Sequence, residues 1–182
     1  MKLLLASDIH GSLSAARHVM EAFKKEQADY LIFLGDAMYH GPRNPLPDEY
    51  APAKVAELLN TVKDKVIAVR GNCDSEVDQM LLGFPITAEY QNIPLTNTRL
   101  FATHGHIFEP ASIPVSVKAG DIFAFGHTHV PVLEVNESGI LVLNPGSVAL
   151  PKEGHPPTYA VIDEDQVEIK TFDGNVYMGH ER

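Results

Sequence analysis

The pattern of apolar and polar residues along the chain predicts three helices, because apolar side chains recur at the spacing of one buried helical face. The segments are Leu13–Lys25, Ala53–Lys65 and Ser75–Leu82. Ser12 is a suitable N-cap for the first helix. Ser75 followed by Asp78 resembles a capping box, which indicates the start of the third helix.

Short apolar runs of the kind that forms buried strands alternate with these helices in the first two-thirds of the chain, at 2–6, 30–34 and 66–69. This alternation predicts βαβ units and a parallel sheet with right-handed crossovers. In the last third the runs follow one another without helical patterns, which favours antiparallel hairpins. These runs are 99–103, 121–126, 132–135, 140–143, 158–162 and 167–172. We expect one domain over residues 1–182, with two stacked sheets and helices outside.

Composition restricts the class of protein and its partners. The 182 residues are 45% hydrophobic and 21% charged, which is typical of a globular domain. No apolar run approaches the ~18 residues of a membrane span, and no signal peptide is indicated. The single cysteine excludes an intrachain disulfide and favours a cytoplasmic location. A formal net charge of −10 argues against nucleic acid as a partner and leaves a small phosphoester substrate and a homo-oligomer possible.

Five of the apolar runs end in side chains that commonly bind metal ions. The residues at these ends are Asp8, His10, Asp36, Asn72, His104, His127 and His129. Because ligands of open α/β sheets bind beyond the carboxyl ends of the strands, we expect a single metal site at one sheet edge. Asn72 has an alternative role as a left-handed turn residue, a conformation that asparagine tolerates.

The spacing within two of these motifs suggests how their side chains face. Residues two apart in an extended segment point to the same side, so Asp8 and His10 are expected to face one metal together. His127 and His129 have the same spacing, but the flanking glycine and threonine indicate a turn. A turn allows these two imidazoles to diverge toward two different metals.

The ligand types indicate a hydrolytic centre. Carboxylate, amide and imidazole ligands without a thiolate cluster disfavour a structural zinc site and suit Mn²⁺, Fe²⁺ or Zn²⁺. Seven ligands suit two ions bridged by a carboxylate, and Asp36 is the best bridge because the second strand can lie centrally. Two cations about 3.5–4 Å apart lower the pKa of a shared water toward about 7 and stabilise an in-line displacement at phosphorus.

The ordered motifs D-x-H, G-D, G-N-x-D, T-H-G-H and G-H-x-H resemble the signature of the calcineurin-like metallophosphoesterases. The short length, the GNCD sequence at 71–74 and the segment 144–147 resemble the small YfcE-type phosphodiesterase branch. The resemblance extends from Asp8 to Ser147. It implies an α/β fold, a four-layer αββα sandwich of two mixed sheets flanked by helices.

The resemblance also implies two divalent metal ions per chain, with Mn²⁺ first and Fe²⁺, Zn²⁺ or Ni²⁺ as alternatives. The first ion would be held by Asp8, His10 and His129. The second would be held by Asn72, His104 and His127, and Asp36 would bridge.

We therefore predict a metal-dependent phosphodiesterase that hydrolyses small phosphoesters by attack of a metal-bridging hydroxide, with Asp36, Asn72, His104 and Cys73 in catalytic positions. Two alternatives stay open. One is a phosphomonoesterase or nucleotidase with the same centre. The other is a non-catalytic protein-binding scaffold like the retromer subunit of this superfamily, a lineage that departs from the full ligand set.

Cys73 is the one departure from the pattern of many phosphatases in the superfamily, which have a histidine after the ligand asparagine. A thiol is a weaker acid than imidazolium at neutral pH, so leaving groups that need protonation are expected to react slowly. The alternative is a small buried thiol without a role in the site. Asp74 is expected to cap a helix or to accept a hydrogen bond behind the ligands.

The loop 40–52 carries four of the thirteen prolines and follows Asp36 closely. It is either a stiff surface connection or a wall over the site. Arg43 and Asn44 in this loop are candidate phosphate contacts, since arginine offers a bidentate fork. His106, two residues after His104, is a third candidate for substrate binding, with an exposed histidine as the alternative.

Overall fold

The computed structural model describes residues 1–182 and contains three α-helices and eleven β-strands. The helices are α1 (Leu13–Lys25), α2 (Pro52–Asn60) and α3 (Glu76–Leu81). The first strands are β1 (Leu3–Ala6), β2 (Tyr30–Phe33), β3 (Val66–Ala68), β4 (Tyr90–Pro94), β5 (Arg99–Thr103) and β6 (Ile122–Ala124). The others are β7 (Val132–Val135), β8 (Leu141–Asn144), β9 (Thr158–Ile162), β10 (Gln166–Thr171) and β11 (Val176–Glu181). None of the helices has the length and apolar character that crossing a membrane would require.

The strands form two mixed sheets. The first sheet has the order β11-β10-β9-β1-β2-β3, and the second has the order β4-β5-β6-β8-β7. β1, β2 and β3 are parallel, as the alternation of strands and helices predicted. β9 lies antiparallel on the other side of β1, where Leu3 pairs with Ile162. The first strand of the chain is therefore a central strand of its sheet.

Side chains that alternate along β1 separate two apolar layers, because successive strand residues point to opposite faces. Leu3 and Leu5 pack between the two sheets, against residues such as Leu100 and Ala124 of the second sheet. Leu4 and Ala6 point the other way, into the core under the helices. β1 is buried on both faces, which explains why its sequence is a continuous apolar run rather than an alternating one.

Helix α1 covers the outer face of the first sheet. Its side-chain cap is as predicted, since Ser12 Oγ accepts a hydrogen bond from the N–H of Ala15 at 3.2 Å. Phe23 and Val19 lie on its buried face. The capping box of α3 is also present, with the Asp78 carboxylate accepting from the N–H of Ser75 at 2.8 Å. Both helices thus begin where their side chains satisfy otherwise unpaired N–H groups.

The fold prediction of two mixed sheets flanked by helices is confirmed, with one difference in the outer layer of the second sheet. Phe101, Phe123 and Phe125 form a separate apolar cluster on that face. They are covered by Val117 and Phe108 of the connection between β5 and β6, which contains a 3-10 turn at Pro110–Ser112 instead of an α-helix.

Three details of the predicted elements are wrong. The second helix ends at Asn60 rather than Lys65, because the chain forms a separate 3-10 turn at Lys63–Lys65 before β3. β4 and β11 were not predicted. β5, β6 and β8 are parallel neighbours rather than hairpins. The connection from β5 to β6 is long enough to return the chain for a parallel pair without a helix.

A half-buried ion cluster joins the C-terminal end of α1 to the first sheet and should give the stability a dependence on pH. Glu26 Oε1 accepts hydrogen bonds from Tyr159 Oη at 3.0 Å and Lys170 Nζ at 3.1 Å. Burial by itself would raise the pKa of Glu26, but these two donors outweigh it and lower the pKa. The ionised form is thus favoured by folding, and its contribution is present above the ordinary pKa of 4.5 and lost as the pH falls through the folded value.

We expect the midpoint temperature of thermal unfolding to fall more steeply for the wild type than for Glu26→Gln as the pH is lowered below 4.5. The neutral amide in the variant does not titrate, so the two curves should converge in acid. Parallel curves from pH 7 to pH 3 would contradict this assignment.

Candidate metal centre

Most of the predicted ligands have a left-handed backbone. The positive φ angles are 62° at Asp8, 50° at His10, 58° at Asp36, 64° at His127 and 63° at His129. Such angles are costly for residues with a Cβ atom and tend to persist at functional sites. Asp8 and His10 therefore lie on a turn after β1, and the expectation that extended spacing aligns them is wrong. Asn72 is not left-handed, so its alternative role as a left-handed turn residue is also wrong.

Backbone hydrogen bonds hold the turns after β1 and β2 against each other. The N–H of Asp8 donates to the carbonyl of Gly35 at 3.1 Å, and the N–H of His10 donates to that of Asp36 at 2.9 Å. Gly71 packs so closely on this turn that a Cβ atom there would collide with the Asp36 carboxylate. The glycine of the GNCD sequence is thus required by the close approach of two strand ends.

Asp8, His10 and His129 form the first group of candidate ligands. His129 Nε2 lies 3.2 Å from Asp8 Oδ1 and 3.2 Å from His10 Nε2. The outer nitrogens are committed to backbone carbonyls, since His10 Nδ1 is 2.8 Å from Tyr39 O and His129 Nδ1 is 2.7 Å from Leu150 O. Those bonds place the proton on Nδ1 and leave Nε2 free to bind a metal.

His104, Asn72 and His127 form the second group. His104 Nδ1 is 2.7 Å from the carbonyl of Leu34, and its Nε2 is 3.0 Å from Asn72 Oδ1. The ring of His127 lies 5.1 Å from the ring of His104. His127 thus faces the second group while His129 faces the first, which is the divergence that a turn at this motif allows.

Asp36 lies between the two groups. Its Oδ2 is 3.6 Å from His10 Nε2 in the first group and 3.4 Å from His104 Nε2 in the second. Its Oδ1 accepts a hydrogen bond from the N–H of Cys73 at 2.8 Å. One carboxylate oxygen is therefore held by the backbone, and the other faces imidazole nitrogens from both sides.

The buried atoms of the site fit divalent metal ions. Asp8 Oδ1 is buried and has no hydrogen-bond donor in the chain. Three close groups of metal-ligating atoms are Asp8 with His10 and His129, Asp8 with Asp36 and His104, and His10 with Asp36 and Cys73. An unpartnered buried carboxylate oxygen facing imidazole Nε2 atoms is the arrangement that a metal ion would satisfy.

Asp74 holds the loops behind the ligands. Its carboxylate accepts from the N–H groups of Asp36 and Ala37 at 2.8 Å each and of Gly71 at 2.7 Å. The predicted role as a hydrogen-bond acceptor behind the ligands thus has a structural counterpart, although the donors are backbone amides rather than an imidazole. Burial raises the pKa of Asp74 to about 6.

A cleft of about 440 Å³ opens onto the ligands. Its lining residues are His10, Asp36, Gly41, Pro42, Arg43, Asn44, Asn72, Cys73, His127, Thr128, His129 and Lys152. Part of the proline-rich loop is therefore a wall of the site. The candidate phosphate contacts Arg43 and Asn44 line the cleft, and so does Cys73. His106 is exposed and outside the lining, with its ring 5.3 Å from that of His104.

A family model described as the calcineurin-like phosphoesterase superfamily domain matches residues 1–167. The chain belongs to this superfamily. This calcineurin-like phosphoesterase is 56% identical over 169 residues to the phosphodiesterase YfcE of Escherichia coli, which covers 93% of the chain and 91% of YfcE. Membership confirms the predicted class of enzyme, a metal-dependent phosphoester hydrolase.

Solved structures agree with the fold of this calcineurin-like phosphoesterase. The structure of YfcE, a phosphoesterase from E. coli, matches with a TM-score of 0.96 and 52% identity, covering 99% of the chain and 98% of YfcE. Vacuolar protein sorting 29 from Cryptosporidium parvum matches with a TM-score of 0.66 and 18% identity, covering 100% of the chain and 97% of that protein. The second likeness shows a shared fold alone.

The buried carboxylates and imidazoles of the phosphoesterase site shift one another's pKa values. Burial by itself would raise the pKa of Asp8, but the imidazoles of His10 and His129, whose Nε2 atoms lie 3.5 Å and 3.2 Å from Oδ1, outweigh it and hold the pKa well below its ordinary value. Burial by itself would lower the pKa of His104, but Asp36 and Asp8 raise it to about 9. The same carboxylates would attract a metal cation in place of these protons.

The sequence alone assigned no side-chain role to three residues around the phosphoesterase site, Asn144, Ser147 and Lys152. Ser147 Oγ donates to the carbonyl of Asp8 at 3.0 Å, and Asn144 Nδ2 donates to the carbonyl of Gly126 and to Thr128 Oγ1 at 2.9 Å each. Asn144 and Ser147 belong to the segment 144–147, which formed part of the resemblance to the family. Lys152 belongs to no motif, and its spacing along the chain carries no signal.

Proposed function

We propose that the chain is a phosphodiesterase whose centre holds two divalent metal ions. The observation that carries the proposal is the position of Asp36 Oδ2, within 3.6 Å of His10 Nε2 and 3.4 Å of His104 Nε2. Asp36 is the proposed bridge between the two groups. Asp8, His10 and His129 would hold one ion, and Asn72, His104 and His127 the other.

When bound, two such ions activate water for attack, polarise the phosphoryl oxygens and neutralise the charge that develops during an in-line displacement. The residues of the chain orient the imidazole rings and the Asp36 carboxylate toward the proposed ions. The bonds from Nδ1 of His10, His104 and His129 to carbonyl oxygens fix each ring with Nε2 directed inward. The N–H of Cys73 fixes Asp36 Oδ1, so that Oδ2 keeps its place between the groups.

The proposed substrate is a small phosphodiester, since the similar protein YfcE is a phosphodiesterase and the cleft of about 440 Å³ suits a small molecule. Mn²⁺ is the proposed ion, with Fe²⁺, Zn²⁺ or Ni²⁺ as alternatives that the same oxygen and imidazole ligands accept. A cytoplasmic location is part of the proposal, because the chain has one cysteine and forms no disulfide.

The experiment removes and restores the metal. We expect the purified protein to contain bound divalent metal, to lose hydrolysis of bis(p-nitrophenyl) phosphate after chelation, and to regain it most strongly with Mn²⁺. Full activity in the presence of chelator would contradict a metal-dependent centre. A metal-free protein that never hydrolyses the ester would favour the scaffold alternative, which the complete ligand set argues against.

Substitution of Cys73 tests whether the site lacks an acid that protonates the leaving group. Burial and the Asp36 carboxylate raise the pKa of its thiol to about 12, so it is poorly suited to protonate a leaving group. We expect Cys73→His to raise kcat for alkyl phosphomonoesters, whose leaving groups need a proton, by about tenfold or more. Rates for aryl esters should change little.

Cys73→Ser is the matched control, because it keeps the size of the side chain without adding an acid. An equal gain for alkyl and aryl esters in Cys73→His would argue against leaving-group protonation.

A further inference from the structure

The cleft has no apolar platform for the arms of a substrate. One of its twelve lining residues is hydrophobic, and no Phe, Tyr or Trp is among them. A nucleobase is usually held by aromatic stacking, which contributes about 1–3 kcal/mol per base. The lining therefore suits an ester arm that is polar rather than aromatic.

Two exposed cations, Arg43 and Lys152, line the same cleft. Neither forms an ion pair, whereas Arg17, Arg99 and Lys170 are paired with acidic side chains elsewhere in the fold. The only acidic residue in the lining is Asp36, whose carboxylate already faces the imidazoles of His10 and His104. Two uncommitted positive charges thus face a cleft of a protein whose formal net charge is −10.

The two cations come from different walls, and each is tied to the site by its own segment. The N–H of Lys152 donates to the carbonyl of His129 at 3.2 Å, which places this residue beside the first ligand group. Arg43 follows Gly41, where an added Cβ atom would lie 3.2 Å from Cys73 Sγ, so its loop packs against the GNCD turn. Asn44 Nδ2 donates to the carbonyl of His40 at 2.8 Å and stabilises that loop.

We propose that Arg43 and Lys152 form a subsite for a second anionic group, a phosphate or a carboxylate, on the arm of the diester that is not the leaving group. The inference rests on the proposed function, in which the metal ions neutralise the reacting phosphate. Cations outside the ligand groups are then available for a further anion. The guanidinium fork of Arg43 and the ammonium of Lys152 both form charge-assisted hydrogen bonds with phosphate and carboxylate oxygens.

The test uses p-nitrophenyl phosphodiesters that share one leaving group and differ in the other arm. The arms are methyl, choline, 2-carboxyethyl and 2-phosphoethyl. We expect kcat/KM for the two anionic arms to exceed that for the methyl arm by about tenfold, with the choline arm slowest. The advantage should shrink at high ionic strength, since both cations are exposed. The ranking of the carboxylate and phosphate arms shows which anion the subsite prefers.

Arg43→Gln and Lys152→Gln should each reduce the ratio of anionic-arm to methyl-arm kcat/KM toward one. Lys54→Gln is the matched control, because Lys54 is an exposed cation on α2 that does not line the cleft, and the ratio should hold. An equal loss for every arm in Lys152→Gln would mean that the cation binds the reacting phosphate, which overturns the subsite.

The same series separates failure of this inference from failure of the proposed function. Hydrolysis of all four esters at similar kcat/KM would overturn the subsite and leave the phosphodiesterase assignment intact. No metal-dependent hydrolysis of any ester would overturn the proposed function, and the subsite with it.

Discussion

Asp36→Asn is expected to lower kcat/KM for bis(p-nitrophenyl) phosphate by more than about 100-fold, above the usual effect of losing a partner behind a metal ligand. The amide has nearly the shape of the carboxylate but lacks its charge and one of its two acceptor oxygens. Since Asp36 Oδ2 faces His10 Nε2 at 3.6 Å and His104 Nε2 at 3.4 Å, both proposed ions would lose a ligand. The bound metal should be measured beside the rate, and its stoichiometry should fall.

His127→Ala provides a comparison within the same site, because it removes one proposed ligand of the second ion and should also remove most Mn²⁺-dependent hydrolysis. Asp165→Asn is the matched control, since Asp165 is an exposed residue in the turn between β9 and β10. Near-normal activity in Asp36→Asn or His127→Ala, with the metal content of the wild type, would refute the two-metal assignment.

Asp74→Ala is expected to reduce the free energy of unfolding by about 3 kcal/mol, since three N–H groups lose their acceptor and a buried unsatisfied group costs about 1–3 kcal/mol. Those donors are the N–H groups of Asp36, Ala37 and Gly71, all within 2.8 Å of the carboxylate. Urea unfolding of the metal-free protein measures the effect without a contribution from bound ions. Activity should fall as well, because the turn that carries Asp36 is released.

Asp74→Asn separates the acceptor role from the charge, because the amide retains one acceptor oxygen. It should destabilise the protein less than Asp74→Ala does. If the alanine variant unfolds at the same urea concentration as the wild type, Asp74 does not hold these turns together.

The sequence located the strands of the buried core better than those of the sheet edges. β1 and β2 are continuous apolar runs, and both lie centrally in the first sheet. β4 carries Gln91, Asn92 and Pro94, and β11 contains Gly179 in an exposed edge, so neither has the alternation of a half-buried strand. Edge strands pair on one side only, and the side chains of β4 and β11 are mostly exposed or half-buried, so they need no apolar pattern.

The sequence could indicate which candidate ligand residues come together, because strand ends in an α/β sheet converge whatever the local geometry. Their local conformation could not, because the left-handed backbone of Asp8 and His10 depends on hydrogen bonds to the turn after β2, far along the chain. Lys152 was missed for a similar reason. Its place in the cleft follows from a backbone bond to His129, a contact between loops that no spacing records.

The central position of β1 has a consequence for how the protein is made. Leu3 pairs with Tyr30 on one side and with Ile162 on the other, so β1 leaves the ribosome long before one of its two neighbours. Until Thr158–Ile162 is synthesised, a nascent chain presents an apolar strand edge with unpaired N–H and C=O groups. We expect chains truncated before Thr158 to aggregate or to remain bound to chaperones, even though every proposed metal ligand is already present in them.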